Sequence, residues 1–235
     1  AAGDLRSIRT GRPVARQFAE QFGATFELSA AALLWAVPAA LLLGTVAAAR
    51  AGTAADLLAS SVSLAGASVP VFWLGYCLLA ANLWLQGAAG WEAPPLGAFG
   101  RHALPEPEGM RTPFLLLEAF ARGEWAFALD CLRHLALPAL ALGTIPLGVV
   151  SRIQRAALRD QARTDHVRTA RAKGAGPARV WLLHAARNAA VPVAAAAFTQ
   201  AGILLGGAVL TETVFARPGL GSALVEAISA RDYPV

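Results

Sequence analysis

Charge is scarce in this sequence. Only 15% of its 235 residues are Asp, Glu, Lys or Arg, whereas an average soluble domain has about 25%. The hydrophobic share is 56% and the mean hydropathy is +0.51, a composition typical of a membrane protein. The net charge of +5 is modest and localised, which argues against nucleic acid as a partner.

Motifs for catalysis and metal binding are scarce as well. Cys77 and Cys131 give neither a disulfide framework nor a metal-ligand spacing, and the four histidines are scattered along the chain without an HExxH pattern. A phosphate-binding loop of the GxxxxGK[ST] type is absent. We therefore expect no catalytic residue, no metal site, no bound cofactor and no nucleotide hydrolysis by this chain itself.

Long apolar runs take the place of charge. A helix that crosses a bilayer needs about 20 predominantly apolar residues, and four segments have this character: 24–49, 57–87, 134–151 and 188–210. The first contains one acid, Glu27, and the others contain no Asp, Glu, Lys or Arg. Because an alternating strand pattern is absent, the sequence predicts an all-α membrane protein, a polytopic helical bundle.

The second of these segments is longer than one crossing requires. Its 31 residues would extend over about 46 Å as a straight helix, against a hydrocarbon core of about 30 Å. We expect either that Pro70 kinks this helix or that part of the segment lies flat at the membrane surface.

Charge also predicts the orientation. The basic loop, residues 152–187, contains nine Lys or Arg and two Asp, whereas the acidic loop, residues 88–133, contains four Arg and six acids. The positive-inside rule places the basic loop in the cytoplasm and the acidic loop outside. Over the whole chain each side would hold ten Lys or Arg, so this orientation rests on the density of the basic loop. Within residues 114–135 five apolar side chains alternate with charges as on one helix face: Phe114, Leu117, Phe120, Phe127 and Leu132. This pattern predicts a helix on the outer surface with Trp125 at headgroup level.

The basic loop has its own predicted helices. From residue 151 to residue 173 it contains no Pro or Gly, so the third spanning helix is expected to continue past the membrane. Four arginines, at positions 152, 155, 159 and 163, would form one solvated stripe. Thr164 or Asp165 then caps a short helix, which ends at Gly174 before Gly176 and Pro177 start the next helix.

The short helix has two features of a docking element. Ala170 and Gly174 lie four residues apart and would leave a patch without bulky side chains, and Arg168 and Arg171 flank it. This pattern favours contact with another protein. The alternative is an ordinary basic loop that sets topology and has no partner.

The run VRTARAKGAGPARVWLLHAARNAAVP resembles the cytoplasmic EAA loop of ABC-importer permeases, in the form typical of the dipeptide, oligopeptide and nickel group. Arg168, Thr169 and Ala170 take the place of the Glu-Ala-Ala triplet, and Gly174 takes that of the glycine. Further similar blocks, such as SVPVFWLG, HLALPALALG and GGAVLTETVFARPGLG, extend the resemblance over nearly the whole chain. The implied ATPase-coupling loop contains Arg168, Thr169, Ala170, Arg171, Gly174, Gly176 and Pro177.

This resemblance implies an architecture and a set of partners. Residues 1–235 would form one ABC permease domain with four of six expected spans, one before and one after being absent from this sequence. The implied partners are a second, homologous permease, two cytoplasmic ABC ATPase subunits that use the ATP, and an extracytoplasmic substrate-binding protein. The setting would be a bacterial or archaeal cytoplasmic membrane, with lipid around the bundle. The cargo stays open between a dipeptide, a longer peptide, a nickel complex and glutathione.

Two acidic residues, Glu27 near the start of the sequence and Glu212 near its end, have two interpretations each. Glu27, just after Thr25, is favoured as a cap at a helix amino terminus, and a role in transport is the alternative. Glu212 precedes Pro218, Gly219 and Gly221, which would make a turn before a short helix from Ser222. The resemblance implies that these four residues belong to an outer gate, and a plain turn is the alternative.

Two other classes of protein compete with an ABC permease. A secondary transporter driven by an ion gradient would need ionisable residues inside its spans, and these spans contain almost none. A non-transporting membrane scaffold would have no reason for the spacing of the EAA-like loop.

Overall fold

The computed structural model describes residues 5–8, 11–90, 96, 99–206 and 208–232. In this part of the chain the structure is helical, and the pairing of extended backbone amounts to one isolated bridge between Arg6 and Pro13. The prediction of an all-α fold is confirmed. The helices are α1 (Val14–Ala49), α2 (Ala54–Ser68), α3 (Val71–Ala89), α4 (Leu115–Arg122), α5 (Trp125–Gln161), α6 (Asp165–Ala172), α7 (Pro177–Arg179), a π-helical segment (Val180–Ala185), α8 (Ala186–Leu205), α9 (Val209–Val214) and α10 (Leu220–Ser229).

Four helices in the described residues are long and apolar enough to cross a membrane: Val14–Ala49, Val71–Ala88, Trp125–Gln161 and Pro177–Leu205. Each overlaps one of the four predicted segments. Two of them extend beyond their apolar runs, because amphipathic residues continue the helix. Thus α1 begins at Val14 and not at residue 24, and α5 covers Trp125–Gln161 and not 134–151. The predicted end of the fourth segment at residue 210 is wrong, because α8 ends at Leu205.

The predicted segment 57–87 is not one helix but two. Val69, with φ −73° and ψ 127°, and Pro70, with φ −60° and ψ 127°, are extended and separate α2 from α3. The ring of a proline disfavours helical backbone at the preceding residue and removes a backbone donor. Of the two pieces, α3 has the length and hydropathy of a crossing, while α2 has 15 residues and falls short of the 20 or so required.

The predicted helix over residues 114–135 is also divided. Gly123 ends α4 with a left-handed φ of +75°, and the remainder belongs to α5. Leu117, Phe120 and Trp125 are exposed, but Phe127 is 3% exposed and lies in the protein core, so the predicted apolar face was wrong in that residue. Residues 91–95 and 97–98 of the acidic loop lie outside the described part of the chain.

The chain folds as two compact units, and the first consists of Ala1–Ala32, Pro70–Leu142 and Ile203–Val235. One core cluster joins α4 to the start of α5 through Leu115, Ala119, Phe127, Ala128 and Cys131. A second cluster joins α3, α5 and the end of α9 through Leu79, Leu137, Ala141 and Phe215. These clusters hold the segment after α8 in a defined position within its unit.

The second unit consists of Leu33–Val69 and Gly143–Gly202. One core cluster contains Ala36, Ala40, Leu147, Val150 and Val193. The other contains Ala48, Leu158, Val167, Val180, Ala185 and Ala189. The second cluster includes residues of α6 and of the π-helical segment, so the basic loop is packed onto the ends of spanning helices.

Large apolar side chains on the spanning helices remain exposed. Leu34 and Phe198 are each 78% exposed and Val191 is 74% exposed. Such exposure is unfavourable in water but carries no penalty against lipid tails, which are themselves apolar. The surface therefore agrees with the composition.

Candidate functional site

The short helix predicted in the basic loop is present as α6. It begins at Asp165 with Thr164 at the N-cap position and ends at Ala172, as the sequence predicts within a residue or two. The Thr164 hydroxyl donates a hydrogen bond to the carbonyl oxygen of Gln161 (2.5 Å), so its side chain holds the preceding turn and does not cap a free N–H of α6.

One face of α6 is buried in its own unit. Val167 is fully buried and packs with Leu158 of α5, Val180 and Ala185. Ala170 is 8% exposed, so it belongs to this inward face. The predicted open patch of Ala170 and Gly174 is therefore wrong in its first member, because a helix with an apolar stripe turns that stripe toward the core.

The opposite face of α6 is open and basic. Arg168, Thr169, Arg171 and Lys173 are all exposed. Arg168 lies 3.5 Å from Asp165, with both side chains largely in solvent, so this ion pair contributes little to stability. These side chains are free to meet another surface.

Gly174 ends α6 in the predicted way. Its φ is +82°, and an added Cβ would meet no atom within 4 Å among the residues that the structure describes. Its N–H donates to the carbonyl oxygen of Arg171 (2.9 Å), and the N–H of Ala175 donates to that of Ala170 (3.1 Å). Gly176 is then extended and Pro177 occupies the first turn of the next helix, so the predicted turn is confirmed.

A side-chain contact that the sequence did not predict ties α6 to α8. The Asn188 amide nitrogen lies 3.2 Å from Nε2 of His166, and Nδ1 of His166 lies 3.0 Å from the Thr164 hydroxyl. With the amide donating to Nε2, Nδ1 carries the proton and donates to Thr164. In the sequence His166 is one of four scattered histidines without a motif, and only the fold brings it next to Asn188.

The predicted arginine stripe is also partly wrong. Arg155 is not simply solvated, because it forms a bidentate ion pair with Asp56 of α2, Nε to Oδ1 and Nη2 to Oδ2 both at 2.9 Å. Arg152 is exposed and donates to the carbonyl oxygen of Gly148, and Arg163 lies beyond the end of α5. No local sequence pattern indicates a partner 99 positions away.

A second group of predicted residues surrounds Glu212 on α9. Glu212 is fully buried; its carboxylate accepts hydrogen bonds from the Thr25 hydroxyl (2.7 Å) and from the N–H of Ser222 (2.8 Å). A Cβ added to Gly219 would collide with this carboxylate. Glu212 therefore holds the turn before α10 from inside.

The other predicted residues of this turn have different positions. The Cβ of any residue but glycine at position 221 would lie 2.6 Å from the Cα of Val209, so Gly221 permits close contact between α10 and α9. Pro218 is exposed. The last helix starts at Leu220 and not at Ser222, because Ser222 serves as its N3 residue, with the side-chain oxygen accepting from the N–H of Gly219 (2.9 Å).

The predicted role of Glu27 as a cap of its own helix is wrong, because α1 already begins at Val14. Its Oε2 instead lies 2.8 Å from Nη2 of Arg101 and 3.7 Å from Nη2 of Arg217. Its Oε1 accepts from the N–H of Leu116 in the first turn of α4 (2.7 Å). Glu27 therefore stabilises the amino terminus of a different helix and compensates two arginines.

Arg217 is the most enclosed member of this cluster. It is 3% exposed, and burial together with the nearby Arg101 charge lowers the pKa of its guanidinium to about 10. It therefore remains protonated at neutral pH, and Glu27 is its compensating carboxylate. The sequence pattern TETVFARPGLG predicted a turn here but gave no sign of a buried charge.

Comparison with known proteins identifies the family. Residues 40–235 match the family described as "binding-protein-dependent transport system inner membrane component". The chain belongs to this family. The di/tripeptide transport system permease protein DppB of Pseudomonas aeruginosa is 46% identical over 100% of this chain and 68% of that relative. The dipeptide transport system permease protein DppB of Escherichia coli is 38% identical, over 99% of this chain and 68% of its own length.

A relative with another cargo in its name matches as well. The glutathione transport system permease protein GsiC of Escherichia coli is 34% identical over 99% of this chain and 65% of its own length. The chain is thus a multi-pass membrane protein and a permease subunit of an ABC importer, and the predicted resemblance is confirmed. Such permeases are not enzymes, and membership implies ATPase and substrate-binding partners in general.

Proposed function

We propose that this chain is the permease subunit of a bacterial peptide importer and that α6 is the element to which a cytoplasmic ATPase subunit binds. The observation that carries the proposal is the two-sided character of α6. Its inner face, Val167 and Ala170, is buried in the unit, while its outer face exposes Arg168 and Arg171. A helix built in this way can take force from a partner and pass it to the helices that it packs on.

The residues proposed for this contact are those of the coupling loop: Arg168, Thr169, Ala170, Arg171, Gly174, Gly176 and Pro177. Within it, Ala170 supports the helix from inside, and the exposed residues meet the ATPase. Gly174 contributes an open, left-handed turn at the end of the helix. A side chain here would both strain the backbone and occupy the space that the partner approaches.

The proposed orientation places the basic loop in the cytoplasm and the acidic loop outside. The density of Lys and Arg in residues 152–187 supports it. It puts α6 on the side where ATP is available. On the opposite side, Glu212, Pro218, Gly219 and Gly221 would lie near the extracytoplasmic binding protein as part of an outer gate.

The proposed cargo is a short peptide. The relatives of highest identity mentioned above carry "di/tripeptide" and "dipeptide" in their names. The four apolar runs within the spans contain a single charged residue, Glu27, so they offer few polar anchors to a ligand, and we propose that the binding protein selects the cargo. The complete assembly would contain a second permease, two ATPase subunits that bind and hydrolyse the ATP, and the binding protein, in the bacterial inner membrane.

Reconstitution of the whole importer tests this proposal. The full-length subunit is purified from bacterial membranes with its co-expressed partner permease and ATPases and placed in liposomes with ATP inside and the binding protein outside. We expect uptake of a labelled dipeptide that requires both ATP and the binding protein. Uptake driven by a proton or sodium gradient without ATP would contradict the proposal and favour a secondary transporter. Absence of any uptake, together with absence of a copurified ATPase, would favour a scaffold.

A further inference from the structure

Asp56 and Arg155 form the most highly connected ion pair of the second unit among the residues described. The two side chains meet in a bidentate arrangement with both N–O distances at 2.9 Å. Asp56 is 7% exposed, and its Oδ2 and Oδ1 also accept from the N–H of Gly52 (3.0 Å) and the hydroxyl of Ser60 (3.2 Å). Bidentate arginine–carboxylate pairs are both strong and directional, so this pair fixes the angle at which α2 meets α5.

Both side chains of the pair are charged at neutral pH. The hydrogen bonds from Arg155, with that from the N–H of Gly52, hold the pKa of the Asp56 carboxyl well below its usual range. Asp56 is therefore a carboxylate throughout the physiological range, and an arginine side chain is a cation in the same range.

Tight backbone packing continues the contact along both helices. A Cβ on Gly148 of α5 would lie 2.5 Å from the carbonyl oxygen of Ser63 on α2. The pairs 56 with 155 and 63 with 148 show that the helices run antiparallel and in step over two turns. The two helices are thus held together by a close backbone contact at one end of this stretch and by an ion pair at the other.

The same helix α5 supports α6. Leu158, one turn beyond Arg155, is fully buried and packs with Val167 of α6 and Ala48 of α1. A displacement of α6 therefore reaches α5 at Leu158, next to the point where Arg155 holds α2. The contacts from α6 to α2 are continuous within one unit.

We propose that Arg155 and Asp56 are positioning residues that make α2 follow α5 when a bound ATPase displaces α6. This inference rests on the proposed function of α6. Without the ion pair, α5 would still move with α6, but α2 would no longer be held at the end nearest the basic loop. ATP hydrolysis would then proceed without a matching movement of the spans.

The test measures the number of ATP molecules hydrolysed per peptide imported. Whole importers with Arg155→Gln, Asp56→Asn and the double variant are reconstituted in liposomes, and dipeptide uptake and ATP hydrolysis are measured in the same samples. Arg152→Gln is the matched control. Arg152 lies one turn before Arg155, is exposed and donates to the backbone of its own helix, so this variant removes the same charge without breaking an ion pair between described residues. Copurification of the ATPase is recorded for each variant.

We expect the two single variants to lose at least tenfold in uptake while hydrolysis stays within twofold of the unchanged protein, so that the ATP used per peptide rises at least fivefold. The double variant should resemble the single variants, because the two residues act as one unit. The double variant leaves no unpaired charge, so it can replace a single variant that fails to assemble. Arg152→Gln should keep the ratio unchanged.

Three results would overturn the inference. Uptake in Arg155→Gln equal to that in Arg152→Gln would remove any role for the pair. A parallel fall of uptake, hydrolysis and ATPase copurification in the double variant would reduce the pair to a structural role. If the unchanged importer itself showed no ATP-dependent uptake, the proposed function would fail first and this inference with it.

Discussion

Thr25 on α1 donates a hydrogen bond from its hydroxyl to Oε1 of Glu212 on α9, at 2.7 Å. The same hydroxyl oxygen accepts from the N–H of Leu220 at the start of α10 (2.8 Å). One buried side chain therefore joins α1 to two consecutive helices, α9 and α10, that lie almost 200 residues later in the sequence. This relationship holds the proposed outer gate against the first part of α1 within one unit.

Thr25→Val should destabilise this segment. Valine has the shape of threonine but cannot donate to Glu212 or accept from Leu220, so a buried acceptor and a backbone N–H each lose a partner, at a cost of about 1–3 kcal/mol. The thermal unfolding midpoint in detergent should fall by several degrees. Thr213→Val is the control, because that exposed hydroxyl donates to the carbonyl oxygen of Val209 in its own helix and has no other hydrogen bond to the described part of the chain. Equal midpoints for the two variants would contradict the assigned role of Thr25.

Glu27→Gln should be more harmful than a change at any exposed acid. It removes the charge that compensates Arg101 and Arg217 in a largely buried site. Breaking a buried ion pair by loss of one partner typically costs about 3–5 kcal/mol. The amount of folded, monodisperse protein recovered from membranes should fall markedly. Glu20→Gln is the control, because it affects an exposed ion pair with Arg16, and we expect its free energy of unfolding to change by about 1 kcal/mol or less. A similar loss of folded protein in both variants would contradict the role assigned to Glu27.

Glu118 on α4 predicts a pH dependence. The hydroxyl and N–H of Thr112, with the N–H of Arg111, lower the pKa of Glu118 from 4.5 to about 2. Because the folded-state pKa is the lower one, Glu118 stabilises the fold above pH 4.5, and this contribution is lost as the pH falls toward 2. The difference in unfolding midpoint between the unchanged protein and Glu118→Gln should therefore be largest near pH 7 and shrink as the pH approaches 2. A difference that grew on acidification would show that the sign is wrong.

The membrane topology can be tested with single cysteines after replacement of Cys77 and Cys131. Glu108 is a better outer position than its neighbour Gly109, whose φ of +81° disfavours any side chain. A cysteine at Glu108 should react with a membrane-impermeant thiol reagent in intact cells. One at Arg163, which is also exposed, should react only after the membrane is opened. The reverse pattern would place α6 on the side without ATP.

The spanning helices were predictable because they depend on local properties. An apolar run of 18 residues or more reports a crossing by itself, and Gly174 with Pro177 marks a break in any context. The helix ends were less predictable. The first residues of α1 read VARQFAEQFG, an amphipathic stretch, so the apolar run alone placed the start at residue 24 and led to a wrong capping role for Glu27.

The ion pairs and buried contacts were not predictable from the sequence. Glu27 meets Arg101 across 74 positions and Thr25 meets Glu212 across 187, and no periodicity carries such information. Ala170 illustrates a different limit. Its small size was equally compatible with an open patch and with close packing, and only the burial of Val167 on the same face decides for packing.

Arg168→Glu should weaken transport only mildly. Arg168 is exposed and its ion pair with Asp165 lies in solvent, so a reversed charge at the rim of a wet interface is expected to cost about 1 kcal/mol or less. That corresponds to a loss of roughly fivefold or less in ATPase affinity. A total loss of uptake would mean that this arginine is buried in the assembled importer.

Gly174→Leu tests most directly whether α6 is the ATPase-binding element. The leucine fills the open space at the end of α6 and strains a backbone with φ +82°. Gly90→Leu is the control, because Gly90 has φ +66° and an added Cβ would meet no atom of the described residues within 4 Å, so this variant introduces comparable strain away from the basic loop. The measurement is dipeptide uptake beside copurification of the ATPase from the same membranes. We expect both to fall at least tenfold in Gly174→Leu, at a near-normal level of subunit in the membrane, and to persist in Gly90→Leu. Normal uptake in Gly174→Leu would contradict the account and leave the basic loop as a topology signal.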